Sequence, residues 1–124
     1  MSTFFADSYA IIEMLKGNRN YLSYQSEQLV MTEFNICEVG FAVCREYPAH
    51  AARILKAVRK MVVIQESRDE DYCAAAVTRM RATAEGKKLS TIDCVGYSVA
   101  NRLNIPFLTG DREFADMDNV QFVR

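Results

Sequence analysis

Short apolar runs alternate along the chain with longer segments in which apolar residues recur at helical spacing. The short runs, several of them rich in β-branched and aromatic residues, predict strands over residues 3–6, 29–31, 61–64, 105–108 and 120–123. Strands separated by helices form a parallel sheet covered by helices on both faces. The pattern therefore predicts an α/β fold, a three-layer α/β/α sandwich with a central, mostly parallel sheet.

The longer segments predict how individual helices are buried. Residues 34–44 are apolar nearly all round, which is typical of a buried helix. Residues 67–86 form the longest helical segment, which begins with acidic residues and ends at a glycine. We expect one face of that segment to pack inward, and its apolar members are Tyr72, Ala76, Val77, Met80 and Ala84.

Composition narrows the class of protein. The chain has 124 residues, half of them apolar, and we interpret residues 1–124 as one domain large enough to bury its own core. Its 15 basic and 16 acidic residues leave a net charge of −1, so neither disorder nor dedicated duplex-DNA binding is indicated. Function must therefore be inferred from the position of the charges.

Two further features bear on location and redox chemistry. The chain has no apolar run long enough to span a membrane and no basic-then-apolar leader, so we expect a cytoplasmic protein without a membrane partner. Its four cysteines match no zinc spacing, and we interpret them as small buried apolar residues. They are Cys37, Cys44, Cys73 and Cys94. The single histidine, His50, is predicted to lie at the surface.

One acidic residue occupies a costly position. Glu38 lies in the middle of the apolar helix 34–44. A buried carboxylate must be neutral, paired with a cation or bound to a metal. The alternative is that Glu38 faces solvent on a narrow polar strip with Asn35 and Arg45.

Three aspartates follow predicted strands or begin predicted helices. Asp7 follows the first strand and Asp111 follows the fourth, and the carboxyl ends of parallel strands lie along one edge of a sheet. We therefore expect these two side chains to be neighbours. Either could instead be a simple helix N-cap, and Asp93 could be the acidic half of a capping box with Ser90.

These acids occur in segments that resemble the PIN domain family, and in particular its VapC-type toxins. The segments are FADSYAII around Asp7, TEFNICEV at 32–39, LSTIDCVGYSVA at 89–100 and FLTGDREF at 107–114. They occur in the order and spacing of the family, and the chain has the length of one such domain. The resemblance implies a PIN-like fold and a ribonuclease that hydrolyses RNA phosphodiester bonds.

The resemblance also implies the residues of the site. Asp7, Glu38, Asp93 and Asp111 would be a catalytic quartet that binds Mg²⁺ or Mn²⁺, since such ions prefer oxygen ligands and can activate water. Ser8 and Thr109 would support the first and last acid, Glu113 and Asp116 could add a carboxylate, and Arg112 could contact RNA. A homodimer and an inhibitory antitoxin protein are the partners implied.

Two other hypotheses about the function, neither of them an enzyme, remain open. One is a receiver-like regulatory module, in which an aspartate at the sheet edge accepts a phosphoryl group. It expects two acids at the end of the first strand and a lysine after a late strand. Here a single acid, Asp7, follows the first strand, and no lysine follows Lys88. The other is a degenerate PIN domain that only binds a partner.

Overall fold

The computed structural model describes all 124 residues, and its order of strands and helices is the predicted one. The elements are β1 Thr3–Ala6, α1 Ser8–Leu15, a 3₁₀ helix Arg19–Ser26, β2 Gln28–Met31, α2 Glu33–Glu46, α3 Ala51–Met61, β3 Val62–Ile64, α4 Asp69–Ala84, α5 Thr91–Leu103, β4 Phe107–Thr109, a 3₁₀ helix Arg112–Phe114 and β5 Val120–Phe122.

The fourth strand begins later than the predicted residue 105. The backbone N–H of Ile105 bonds to the carbonyl of Ala100, so it still closes the end of α5. Pro106 has no N–H to give to a neighbouring strand. Pairing therefore starts at Phe107, and β4 extends to Thr109.

All five strands are parallel, in the order β3-β2-β1-β4-β5. β1 is the central strand, and the chain moves from β1 to one side of the sheet before returning to the other side at β4. The point between β1 and β4 is thus the topological switch, where open α/β sheets form ligand sites. A receiver-like sheet would have the order 2-1-3-4-5, so this topology does not fit that alternative.

Alternate residues of the strands serve two separate cores. In β1, Phe5 packs with α4 and α5, whereas Ala6 packs with the α1–α3 side. In β4, Phe107 and Leu108 divide in the same way. Since successive strand side chains point to opposite faces, helices cover both faces of the sheet, which confirms the three-layer sandwich.

The prediction that α2 is buried all round is wrong. Phe34 and Phe41 of this helix are 43% and 71% exposed. The helix buried over consecutive residues is α5, in which every residue from Cys94 to Ala100 is buried. α5 packs against β1, β4 and α4, whereas α2 has a free outer face.

The predicted inward face of α4 is also wrong. Tyr72, Val77 and Met80 are 41%, 43% and 64% exposed, and Ala76 and Ala84 are exposed as well. α4 instead packs on α5, and the residues it buries are Asp71, Ala75 and Ala82. Small alanines let the two helices approach closely, so the larger apolar residues remain outside.

The prediction that the cysteines are buried is wrong for three of the four, because they lie on helix faces that are turned to solvent. Cys37, Cys44 and Cys73 are exposed on the outer faces of α2 and α4, and only Cys94 is buried. His50 is exposed, as predicted. No helix has the length and apolarity needed to cross a membrane.

Candidate active site

Asp7 is a buried carboxylate at the end of the central strand. It caps α1, with Oδ1 accepting from the backbone N–H of Ala10 (2.8 Å) and Oδ2 accepting from the Thr109 hydroxyl (2.5 Å). Only 2% of the residue is exposed. Burial raises the pKa of Asp7 to about 7, against the two hydrogen bonds, and the charges of Asp93 and Asp111 add to the rise. The prediction that Asp7 caps a helix is thus correct, but the two hydrogen bonds bring no positive charge to balance that of the carboxylate.

Thr109 joins Asp7 to Asp111. Its hydroxyl donates to Asp7 and accepts from the backbone N–H of Asp111 (3.0 Å). Asp111 caps the following 3₁₀ helix by accepting from the N–H of Glu113 (3.0 Å). The expected proximity of Asp7 and Asp111 follows directly from the pairing of β1 with β4.

Asp93 is presented by the first turn of α5. It forms the capping box with Ser90, accepting from the Ser90 N–H (3.4 Å) and donating its own N–H to Ser90 Oγ (3.0 Å). Burial raises the pKa of Asp93 and the charge of Asp111 adds to this, while the hydrogen bonds from Ser90 oppose it.

Glu38 points from α2 toward the start of α1. It is half-buried and accepts a hydrogen bond from the Ser8 hydroxyl (2.5 Å). Burial raises the pKa of Glu38, the bond from Ser8 lowers it, and the charge of Asp93 raises it. The alternative, that Glu38 faces solvent on a polar strip with Asn35 and Arg45, is therefore wrong. Asn35 is 1% exposed and lies inside the protein, and only Arg45 of the three is exposed.

The four acids interact electrostatically across one edge of the sheet. Asp93 is the common neighbour, since its charge acts on Asp7 and Glu38 and it responds to the charge of Asp111. None of the four forms an ion pair with a basic side chain. No three of the side chains lie close enough to hold one ion together. The edge is an open cluster of interacting carboxylates.

The remaining predicted residues lie around this cluster. Glu113 accepts from the backbone N–H of Lys88 (3.2 Å). Asp116 forms a surface ion pair with Lys87 (2.6 Å) and its side chain is 76% exposed. Arg112 is exposed and forms no ion pair. Both extra acids thus have partners of their own outside the quartet.

Sequence reasoning missed the role of Asn35. The amide is buried beside Ser8, to which Nδ2 donates (3.2 Å), and it completes a capping box with Thr32. The signal in the sequence is the spacing Thr32-x-x-Asn35-x-x-Glu38, which places a helix cap and the acid on adjacent turns.

The chain belongs to the PIN domain family. The family model for the PIN domain matches residues 4–120, nearly the whole sequence. Comparison with curated protein sequences gives no match.

Solved structures of VapC-type proteins share the fold. A chain of a toxin–antitoxin complex from Klebsiella pneumoniae is 15% identical with a TM-score of 0.75, covering 98% of this chain and 96% of that one. VapC20 from Mycobacterium tuberculosis, described as a sarcin–ricin loop cleaving toxin, is 16% identical with a TM-score of 0.74, covering 97% and 99%. A chain of DNA-bound VapBC from Salmonella typhimurium is 12% identical with a TM-score of 0.77, covering 98% and 97%.

Proposed function

We propose that this chain is a divalent-metal-dependent endoribonuclease and the toxin of a toxin–antitoxin pair. The observation that carries the proposal is the convergence of Asp7, Glu38, Asp93 and Asp111 from separate elements on one sheet edge without a paired cation. Uncompensated buried charge is unfavourable, so such a cluster suits a cationic ligand. Membership of the PIN family supports the same conclusion.

The donor set fits Mg²⁺ or Mn²⁺. Both ions prefer oxygen ligands, and Mg²⁺ usually retains several waters and binds through few carboxylates, which suits an open cluster. We assign Asp7, Asp93 and Asp111 as ligands, directly or through water, and Glu38 as a further ligand or the group that orients the attacking water. When bound, the ion would lower the pKa of water and neutralise phosphoryl charge.

The supporting hydroxyls hold the acids in place. Thr109 donates to Asp7 and accepts from the backbone of Asp111, so one buried hydroxyl fixes both strand-end residues. Ser8 donates to Glu38, and burial raises the pKa of that carboxyl.

Basic side chains without internal partners are available to hold RNA phosphates. Arg112 is adjacent to Asp111, exposed and unpaired. On α3, Arg59 is already paired with Glu33 (2.7 Å). The exposed basic residues that remain free on this helix are Arg53, Lys56 and Lys60. Contacts of this type increase affinity without reading sequence.

Protein partners are supported by the outer surface and by the structural neighbours. The Klebsiella neighbour is part of a toxin–antitoxin complex. Phe41 on α2 and Met80 on α4 are 71% and 64% exposed, so each offers a large apolar side chain that a protein partner would bury. We propose an antitoxin partner and a homodimer.

Sedimentation of the purified chain should give twice its 14.1 kDa mass, and a monomer would contradict the homodimer.

Cleavage of labelled RNA tests the enzymatic proposal. The wild type should cleave in Mn²⁺ or Mg²⁺, EDTA should stop the reaction, and excess Mn²⁺ should restore it. Asp7→Asn should reduce the rate at least about 100-fold, whereas Asp69→Asn, the same change at an exposed acid of α4, should not. Cleavage that persists in EDTA and in Asp7→Asn would overturn the metal quartet. Absence of cleavage by the wild type would favour a non-catalytic binding module.

A further inference from the structure

Asn35 is a buried amide whose two ends serve different purposes. It is 1% exposed and lies in the first turn of α2. Its Oδ1 accepts from the backbone N–H (3.3 Å) and the hydroxyl (2.8 Å) of Thr32, which completes the capping box. This end of the amide explains how α2 begins, since such a box satisfies free backbone N–H groups.

The other end of Asn35 has no role in the helix cap. Nδ2 donates to Ser8 Oγ (3.2 Å), and Ser8 lies at the start of α1, 27 residues earlier. An amide NH₂ group can only donate, so Ser8 must be the acceptor in this bond. The single hydroxyl proton of Ser8 is then free to point at Glu38 Oε1, 2.5 Å away.

We propose that Asn35 is a positioning residue for the acidic cluster, because it holds the Ser8 hydroxyl as a donor to Glu38 and so fixes the Glu38 carboxylate at the metal site. The two hydrogen bonds run in one direction, since the amide donates to the hydroxyl and the hydroxyl donates to the carboxylate. This inference rests on the proposed function, since it concerns the same site. It predicts that Asn35 affects metal binding although its side chain does not contact the ion.

A matched pair of variants separates this role from helix capping. Thr32→Val is nearly isosteric and removes the hydroxyl of the cap, but it leaves Nδ2 of Asn35 free to donate to Ser8. Asn35→Leu removes the Nδ2 donor to Ser8 and the Oδ1 acceptor of the capping box, but it leaves the backbone N–H of residue 35 bonded to Thr32 Oγ. Mn²⁺ affinity of the metal-free protein, measured by the electron paramagnetic resonance of free Mn²⁺ without RNA, should fall about 10–100-fold in Asn35→Leu and by less than about twofold in Thr32→Val.

A double-mutant cycle tests whether Asn35 acts through Ser8. If it does, adding Asn35→Leu to Ser8→Ala should produce little further loss of Mn²⁺ affinity, because coupled residues are not additive. Ser8→Thr, which keeps the hydroxyl, should restore affinity relative to Ser8→Ala. Fully additive losses would overturn the proposed route through Ser8.

The remaining outcomes are distinguishable. Unchanged Mn²⁺ affinity in folded Asn35→Leu, or equal losses in Asn35→Leu and Thr32→Val, would overturn the positioning role. If Asn35→Leu does not fold, Asn35→Ser is the replacement, since its shorter side chain can still bond Thr32 but does not reach Ser8. A wild type that binds Mn²⁺ but cleaves no RNA would overturn the proposed function alone, and the positioning role would still be decided by affinity.

Discussion

Asp7 and Asp71 each have only 2% of their surface exposed, although Asp71 lies nearer the protein surface than Asp7, and the protein treats their charges in opposite ways. Asp71 accepts hydrogen bonds from Nε and Nη2 of Arg102 (both 2.9 Å) and from the backbone N–H of Arg68 (2.8 Å). Burial raises the pKa of Asp71, but these bonds and the charges of Arg102 and Arg68 outweigh it and hold the pKa below its ordinary value.

Asp7 has hydrogen bonds but no cation. Its partners are a hydroxyl and a backbone N–H, its charged neighbours are other acids, and its pKa rises to about 7. The fold therefore pairs Asp71 with a cation and leaves Asp7 without one. The contrast separates Asp71, which joins α4 to α5, from Asp7, the acid at the sheet edge that we propose as a metal ligand.

The largest expected effect comes from removing the cation of Asp71. Arg102→Met leaves Asp71 without its cation. Breaking a fully buried pair costs about 3–5 kcal/mol of unfolding free energy, and because the Arg102 side chain is partly exposed we expect a loss of about 3 kcal/mol. Urea unfolding at pH 7 measures the loss. The double variant Arg102→Met with Asp71→Asn should recover part of it. A loss under about 1 kcal/mol for Arg102→Met would show that the pair does not hold α4 and α5 together.

The pH dependence of stability should be opposite at Asp7. Its pKa is higher in the folded than in the unfolded state, so the folded state keeps the proton longer and stability falls as pH rises from about 4 to 7. In EDTA, the stability of Asp7→Asn relative to the wild type should therefore be about 2–3 kcal/mol more favourable at pH 8 than at pH 5. A difference that is the same at both pH values would contradict the raised pKa.

The Lys87–Asp116 pair extends the comparison to the surface and should have the smallest effect. Lys87 holds the pKa of Asp116 below its ordinary value through a hydrogen bond and its charge. The Asp116 side chain is 76% exposed, and exposed pairs contribute little to stability. Asp116→Asn should leave the urea midpoint within experimental error, and a loss comparable to that of Arg102→Met would be inconsistent with this view.

The fold could be predicted closely from the sequence because the signals that define it are local. The apolar run before Asp7 and the β-branched run at 62–64 each mark a strand, and the helices between strands require parallel pairing. The adjacency of Asp7 and Asp111 follows from the same rule, since both come directly after strands.

The burial of individual helices could not be predicted in this way. Both α2 and α5 are rich in apolar residues, and only the packing of α4 on α5 decides which of the two is enclosed. Gly96 contributes to that outcome, because a Cβ there would lie 2.9 Å from the Phe5 ring, so α5 sits directly against the sheet. The bond between Asn35 and Ser8 could not be predicted, because it joins residues that are far apart in the sequence.

The most direct test of the account is a Mn²⁺ titration of the metal-free protein at pH 8, followed by its unfolding free energy. The acidic cluster should bind the ion in the folded state alone, so the wild type should gain about 2.7 kcal/mol when Mn²⁺ is 100-fold above its dissociation constant. Asp7→Asn should lose most of this gain, while Asp71→Asn, although less stable at the outset, should retain it. An equal gain in Asp7→Asn, or none in the wild type at millimolar Mn²⁺, would contradict a metal site at the sheet edge.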